Sequence, residues 1–130
     1  MKSQSQSVID ALQEIICSPE HDEQKIAQYF AADYRQIVDG KSLSYDDFIN
    51  HMSALKVQTQ KMHLTVKAAV GEGDTVFTQH YVKVEKNEAE WSEFEVFARF
   101  TLLAGKIHRC EEVTRMIHGV SEDSDFGSRR

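Results

Sequence analysis

One stretch near the C-terminal end of the chain, Phe94 to Thr114, constrains the fold more than any other. It reads FEVFARFTLLAGKIHRCEEVT, in which two runs of apolar and β-favouring residues are separated by Ala104-Gly105. A glycine at the break between two such runs is typical of two long strands joined by a tight turn. We therefore predict a β-hairpin here, and we expect the preceding chain to cover one of its faces.

Length and composition indicate one domain with its own core. The chain has 130 residues, of which 41% are hydrophobic and 28% are charged, and a chain of this length buries roughly two thirds of the surface that it exposes when unfolded. No apolar run approaches the roughly 18 to 20 residues that a membrane-spanning helix needs, so we expect no membrane partner. The polar N-terminal residues MKSQSQSV lack the apolar core of a signal peptide, which predicts a cytoplasmic protein.

The charge balance bears on nucleic-acid binding, and the spacing of the cysteines bears on disulfides and metal sites. The 21 acidic and 15 basic residues give a net charge of -6. Because a phosphate backbone requires a basic surface, we expect no nucleic-acid partner. Cys17 and Cys110 lie far apart without a metal-binding spacing, and in a reducing compartment we expect both to be buried free thiols without a disulfide.

The first part of the chain predicts two helices. Residues of about 5 to 17 carry apolar side chains at helical spacing, which indicates an amphipathic helix. Ser18 and Pro19 are typical of an N-cap followed by proline at the first helical position, and acidic residues follow in the first turn. We therefore predict a second helix from Ser18 to about Phe30.

A third helix follows a short strand. Residues 33 to 43, DYRQIVDGKSL, predict a strand that ends in a tight turn at Asp39-Gly40. Ser44 and Asp47 form an S-x-x-D capping box for the helix after it. The apolar side of this helix, on which His51 also falls, consists of Phe48, Met52 and Leu55.

From Met62 the apolar period changes to two, which predicts a strand, a turn at Gly71 to Asp74, and a second strand before the hairpin. The fold class is therefore α+β: three helices pack on a curved antiparallel sheet, in the order α-α-β-α-β-β-β-β. We assign residues 1–118 to this domain. The polar residues 119–130 predict a disordered tail.

The chain resembles a known family, the NTF2-like and SnoaL-like proteins of cystatin-like fold. The resemblance covers about residues 7 to 116 and rests on FAADYRQIVDGK at residues 30 to 41, on Phe48 and His51, and on GKI at residues 105 to 107 followed by Glu112. It implies a cone of three helices and a curved sheet. It implies no single activity, because such proteins include isomerases, polyketide cyclases, hydratases and members without chemistry.

The first arm of the hairpin is apolar on both faces, with Phe94 and Phe100 on one parity and Phe97 and Leu103 on the other. An antiparallel sheet with one solvated face should alternate more cleanly. We therefore predict a homodimer through the convex face of the sheet, which the family resemblance also implies.

Strand parity selects Glu112 as the principal candidate for catalysis. If the parity of Phe94 points inward, Cys110 and Glu112 point inward as well, together with His108 and, from the preceding strand, His80. A carboxyl group in an apolar cone should have a raised pKa and could act as a general acid or base. A slip of one residue would instead bury Glu111, and a carboxylate that only ties strands together remains an open alternative.

His51 and Asp39 are further candidates with structural alternatives. The helix histidine could be a pocket base or a packed residue bonded to a backbone carbonyl. The isomerase branch of the family implies a base near the end of the short strand, where Asp39 is the available acid, although Asp39-Gly40 is also an ordinary turn.

We expect a pocket for a small hydrophobic molecule, without a cofactor and without a metal, since the six histidines lack the spacing of a zinc site. The predicted lining is Tyr29, Phe48, Met52, Phe94, Phe100 and Cys110, with Gln36, His51, His80 and Glu112 as polar groups. If the protein is an enzyme, the expected chemistry is proton transfer next to a carbonyl, as in an isomerase or an aldol-type cyclase. The alternative is a non-catalytic module that binds a hydrophobic metabolite or recruits a partner.

Overall fold

The computed structural model describes residues 2–87 and 89–119. These residues form helices α1 Gln4–Cys17, α2 Glu23–Tyr29 and α3 Tyr45–Gln58, and strands β1 Phe30–Val38, β2 Lys41–Leu43, β3 Lys61–Glu72, β4 Thr75–Glu85, β5 Trp91–Leu103 and β6 Lys106–His118. The predicted order is confirmed, with β2 as an addition that pairs with β1 across the Asp39-Gly40 turn. The predicted tail lies outside the described residues except for Gly119.

The strands form one sheet in the order β2-β1-β6-β5-β4-β3. Strands β3 to β6 pair antiparallel, as predicted, whereas β1 pairs with β6 in parallel. The α+β fold class is confirmed, and the sheet is mixed rather than wholly antiparallel. No hairpin joins β1 to β6, because α3 and four strands lie between them in the chain, so their connection does not impose an antiparallel pairing.

The helix boundaries follow from their caps. Ser44 and Asp47 form the predicted capping box of α3, in which each residue's side chain bonds the other's backbone N–H. The predicted start of α2 at Ser18 is wrong: the helix begins at Glu23, because the Asp22 side chain accepts from the backbone N–H groups of two residues in its first turn. Ser18 is instead the C-cap of α1.

The predicted hairpin turns at Ala104-Gly105, where both residues have left-handed φ angles of 52° and 80°. A turn with two positive φ angles matches the twist of the strands that it joins. Close to the turn, Thr101 pairs with Arg109 but Leu102 pairs with Ile107, so His108 is an extra residue in β6. This bulge is the reason that His108 does not follow the predicted inward parity.

The two faces of the sheet differ in the way the sequence predicts. The inward residues of β5, namely Phe94, Val96, Ala98, Phe100 and Leu102, are all buried, and they share one core with Val8, Ala11 and Ile15 of α1 and with Phe48, Met52 and Leu55 of α3. The outward residues Phe97 and Leu103 are exposed. Burial of the apolar face under the helices is the main stabilising contribution to such a two-layer fold.

Across the described part of the chain, no helix combines the length and the apolar character that a membrane crossing requires.

Candidate functional site

A cavity of about 120 Å³ lies between the concave face of the sheet and helices α1 and α3. Its wall is mainly apolar, with side chains from both helices and from the inward positions of β1, β4, β5 and β6. The polar lining residues are Gln36, His51, His80, Glu112 and Thr114, and the predicted residues Phe48, Met52, Phe94, Phe100 and Cys110 also line it. A few polar groups in a mostly apolar cavity are typical of a site for a small molecule.

Strand pairing places the polar groups of the sheet in two adjacent rows. In one row Thr78, Ala98 and Glu112 are partners across β4, β5 and β6. In the next row His80, Val96 and Thr114 are partners across the same strands. Alternate residues of a strand share a face, so Glu112 and His80 lie on opposite sides of the apolar strand β5.

Glu112 is held by a hydrogen-bonded chain from β1. The Gln36 amide Nε2 donates to Glu112 Oε1 at 3.1 Å, and the Tyr34 hydroxyl donates to Gln36 Oε1 at 2.6 Å. The two bonds fix the orientation of the Gln36 amide, since one N–H donates and the carbonyl oxygen accepts, and the second N–H is left for a ligand. Gln36 is thus a side-chain donor to the Glu112 carboxyl group at Oε1, and Glu112 lines the cavity.

The surroundings of Glu112 favour the protonated carboxyl. Burial of the group, and after it the negative charge of Asp39, raises the Glu112 pKa from 4.5 to about 7. Glu112 is half-buried as a whole residue and lines the cavity. A carboxyl group with a pKa near neutrality can both accept and return a proton at physiological pH.

His80 is a buried histidine whose orientation is set within its own strand. Its Nδ1 atom is hydrogen-bonded to the Thr78 hydroxyl at 2.9 Å, and both side chains are buried. Burial lowers the His80 pKa to about 4, so the ring is neutral at pH 7. Since Thr78 occupies Nδ1, Nε2 is the ring nitrogen that a molecule in the cavity can reach.

The structure places Asp39 outside the cavity, which corrects the prediction that it lines the site. Asp39 is an exposed turn residue with φ 51°. Its carboxylate accepts from the Thr114 backbone N–H at 2.8 Å and from the Thr114 hydroxyl at 2.6 Å. Strand β1 ends at Val38. Beyond it, the Asp39 carboxylate rather than a backbone carbonyl of β1 accepts from the backbone N–H of Thr114 on β6.

Tyr29 also lies outside the cavity lining, contrary to the prediction. Its hydroxyl donates to Glu14 of α1, and its ring packs at the edge of the core. The helical period that suggested Tyr29 fails here because α2 ends at this residue and the chain continues as β1.

His51 and Cys110 do line the cavity, from the helix side and the sheet side respectively. His51 is buried on the inner face of α3. The Cys110 side chain is hydrogen-bonded to that of Tyr34, and burial raises the pKa of this thiol well above its usual value. A thiol with such a raised pKa stays protonated and is a poor nucleophile.

Sequence reasoning missed Tyr34. This residue is buried, lines the cavity, and supplies the first bond of the chain to Glu112. The available signal was parity, because Tyr34 and Gln36 are two residues apart on one strand and therefore share a face. The Tyr34 ring packs against Phe30 of the same strand and Phe48 of α3, and these contacts hold the ring in place.

The chain is similar over nearly its whole length to a protein of Schizosaccharomyces pombe. No family model matches the chain. "Uncharacterized protein C11D3.04c" of Schizosaccharomyces pombe is 30% identical over 128 residues, which is 98% of this chain and 98% of that protein.

Two solved structures show the fold. A candidate SnoaL-like polyketide cyclase from Jannaschia sp. CCS1 has a TM-score of 0.68 at 12% identity, over 88% of this chain and 89% of that one. An NTF2-like protein of unknown function from Exiguobacterium sp. 255-15 has a TM-score of 0.69 at 17% identity, over 82% and 97%. Identity this low carries the fold but not the activity. The chain therefore has the NTF2-like fold of the SnoaL-like proteins and belongs to the same family as the Schizosaccharomyces pombe protein.

Proposed function

We propose that the cavity binds a small hydrophobic carbonyl compound and that Glu112 transfers a proton at the carbon next to the carbonyl group. The observation that carries this proposal is the Glu112 carboxyl group itself: it is enclosed in an apolar cavity, held by Gln36, and has a pKa of about 7. A carboxylate that is poorly solvated and fixed in position is a stronger base than one in water.

The proposed reaction uses the groups on both sides of β5. Ionised Glu112 removes the α-proton, the C–H electron pair forms the C=C bond of an enolate, and negative charge develops on the carbonyl oxygen. An N–H of the Gln36 amide, beside Glu112, would hydrogen-bond that oxygen. Neutral His80 would hold the opposite end of the molecule through Nε2, in the tautomer that carries the proton there. In a β,γ-unsaturated substrate, return of the proton from Glu112 to the γ-carbon gives the conjugated isomer. In a substrate with a second carbonyl group, attack of the enolate carbon on that group closes a ring, and the resulting alkoxide takes the proton from Glu112.

Gln36 and Tyr34 also position Glu112 in this scheme. Neither transfers a proton, because Gln36 cannot titrate and burial raises the Tyr34 pKa well above 10. Their hydrogen-bonded chain sets the direction in which the Glu112 carboxylate faces the cavity. A fixed direction contributes to the rate because the reacting atoms must meet within a narrow range of geometry.

Hydrogen–deuterium exchange tests the proposal. A panel of monocyclic and bicyclic ketones is incubated with the protein in D₂O, and loss of the α-proton signals is followed by ¹H NMR. We expect the protein to accelerate exchange, with a rate that rises with pH through about 7 as Glu112 ionises. Glu112→Gln should lower the enzymatic rate by about 10²- to 10⁴-fold.

Glu111→Gln is the matched control, because it makes the same substitution on the next residue, which lies outside the cavity. It should leave exchange unchanged. Ketones that bind without accelerated exchange would contradict the enzyme and support the second candidate, a hydrophobic-metabolite-binding protein, which the mainly apolar wall of the cavity also suits.

We also propose that two copies of the chain associate through the convex face of the sheet. Several of the large exposed hydrophobic residues in the described chain lie at outward positions of the sheet, among them Val70, Phe77, Phe97 and Val113. Carboxylates at the margins are already paired, Glu111 with Arg99 at 2.7 Å and Glu95 with Arg115 at 2.9 Å. A contiguous apolar patch with a neutralised rim supports association with a second copy.

A further inference from the structure

We infer that the cavity binds an uncharged molecule rather than an anion, and that this molecule carries a polar atom at each of its two ends. His80 binds one end, and Glu112 and Gln36 bind the other. The inference rests on the proposed function, since it names the ligand class of the same cavity. It concerns binding alone, and it therefore holds or fails independently of proton transfer.

The two ends follow from the arrangement of the sheet. His80 faces the cavity from β4, whereas Glu112 and Gln36 face it from β6 and β1. Between them the floor is the strand β5, which lines the cavity with Val96 and its inward neighbours Phe94 and Phe100. Strands two apart in a sheet are separated by roughly 10 Å, and the offset of one row adds roughly 7 Å along the strand. The Cα atoms of His80 and Glu112 are therefore roughly 12 Å apart, and both side chains shorten that gap. A single substituted ring can span it.

The lack of a cation in the wall disfavours an anion. Among the described residues that line the cavity, none is lysine or arginine. Lys56 lies on the same helix as His51, but its amine donates to the backbone carbonyls of Ile16 and Ser18. A carboxylate or phosphate buried here would have no counter-ion, and an unpaired buried charge is costly. Neutral His80 and protonated Glu112 supply hydrogen bonds but no positive charge.

The cavity volume limits the size of the molecule. About 120 Å³ is space for a molecule of on the order of ten non-hydrogen atoms. The two polar ends and the apolar floor therefore match a single aromatic or alicyclic ring that carries a carbonyl group at one end and a hydroxyl or amide group at the other.

Two pairs of isosteric probes test the inference by calorimetric titration at pH 6. 4′-Hydroxyacetophenone and 4′-methylacetophenone have the same shape, and the hydroxyl compound should bind about 3- to 10-fold more tightly, since it adds one hydrogen bond. 4-Acetylbenzamide and 4-acetylbenzoate differ in charge at nearly constant shape. The amide should bind about 10-fold more tightly or better, because only the carboxylate is charged.

Variants assign the ends. In His80→Leu the preference for the hydroxyl compound should fall to within about 2-fold. His63→Leu, the same substitution at a partly exposed histidine outside the cavity lining, should retain the preference. The comparison of amide with carboxylate needs only the wild-type protein, so it stands even if His80→Leu does not fold.

Binding of the carboxylate as tight as that of the amide would overturn the inference, as would a hydroxyl preference that survives in His80→Leu. Failure of all four probes to bind up to their solubility limits would overturn it as well. If the predicted ranking holds but no ketone exchanges its α-protons, the proposed catalysis fails and the ligand class stands. If the protein accelerates exchange but binds the amide and the carboxylate equally, the ligand class fails and the proposed catalysis stands.

Discussion

Glu111 and Glu112 are consecutive residues of β6, yet they lie in opposite environments. Glu111 is on the convex face, where it accepts hydrogen bonds from Arg109 at 2.9 Å and Arg99 at 2.7 Å. Glu112 is on the concave face, in an apolar cavity where Gln36 is its hydrogen-bond donor. The same side chain is thus a solvated partner in an ion pair on one face and an enclosed acid on the other.

The pKa values of the two glutamates move in opposite directions. The hydrogen bond from Arg109 is the largest cause that lowers the Glu111 pKa, because it stabilises the carboxylate. Burial is the largest cause that raises the Glu112 pKa to about 7, because it disfavours the carboxylate. The comparison teaches that residue type and position in the chain do not set the chemistry of a strand residue; the face on which it lies does.

The largest expected effect concerns the convex face. Phe97→Asp should weaken dimerisation by at least about 100-fold, because it places an unpaired charge in the middle of the apolar patch that a second copy would bury. The measurement is sedimentation equilibrium across a concentration series. Val57→Asp, at an exposed valine near the end of α3 and away from the sheet, should leave the association constant unchanged. A wild-type protein that stays monomeric at high concentration would refute the convex-face dimer.

The next effect concerns stability on the concave face. Between pH 4.5 and pH 7 the unfolded chain loses the Glu112 proton while the folded chain retains it, so the free energy of unfolding should fall as the pH rises through this window. Glu112→Gln removes this loss. The variant should match the wild type near pH 4 and exceed its stability at pH 8 by up to about 3 kcal/mol, as measured by urea denaturation at both pH values.

Glu111→Gln should have the opposite effect, because a carboxylate with a lowered pKa stabilises the folded protein above its normal pKa. We expect a slight loss of stability at pH 8 and none at low pH, where both states are protonated. If both variants changed stability in the same direction at pH 8, the contrast between the two faces would be wrong.

The smallest effect concerns the link between Asp39 and Glu112. Asp39→Asn keeps a side chain that tolerates the positive φ angle of this turn, and it removes the negative charge that contributes to the raised Glu112 pKa. The Glu112 pKa should therefore fall by part of its shift, with the part due to burial retained. A ¹³C NMR titration of the glutamate carboxyl signals measures this. Asp33→Asn, at an exposed acid at the other end of β1, should leave the pKa of Glu112 in place.

The sequence predicted the hairpin turn, the start of α3 and the two faces of β5 well, because each depends on signals within a few residues of the chain. The alternation in β5 assigns Phe94 and Phe100 to the inside and Phe97 to the outside, and the structure agrees. The positive φ angles at the hairpin turn and the capping box of α3 follow from local chemistry in the same way. Most of the predicted pocket residues line the cavity because they share these faces.

The failed predictions depend on contacts between distant segments. His108 leaves the inward face because a bulge in β6 adds a residue beside β5. Asp39 turns away from the cavity because β1 ends beside Thr114, where the carboxylate finds donors. The start of α2 was wrong because Ser18 closes α1 and Asp22 competes more effectively for the first free N–H groups of the next helix.

By itself the sequence determined which residues alternate, where the chain turns and which helix faces are apolar, because these depend on side-chain type and on backbone conformation within a few residues. Only the tertiary structure decided that Glu112 meets Gln36 and lies opposite His80, since these residues come from strands that the chain brings together from far apart. It also decided their protonation, because a pKa responds to the whole surrounding volume of charge and solvent rather than to the neighbours in the chain.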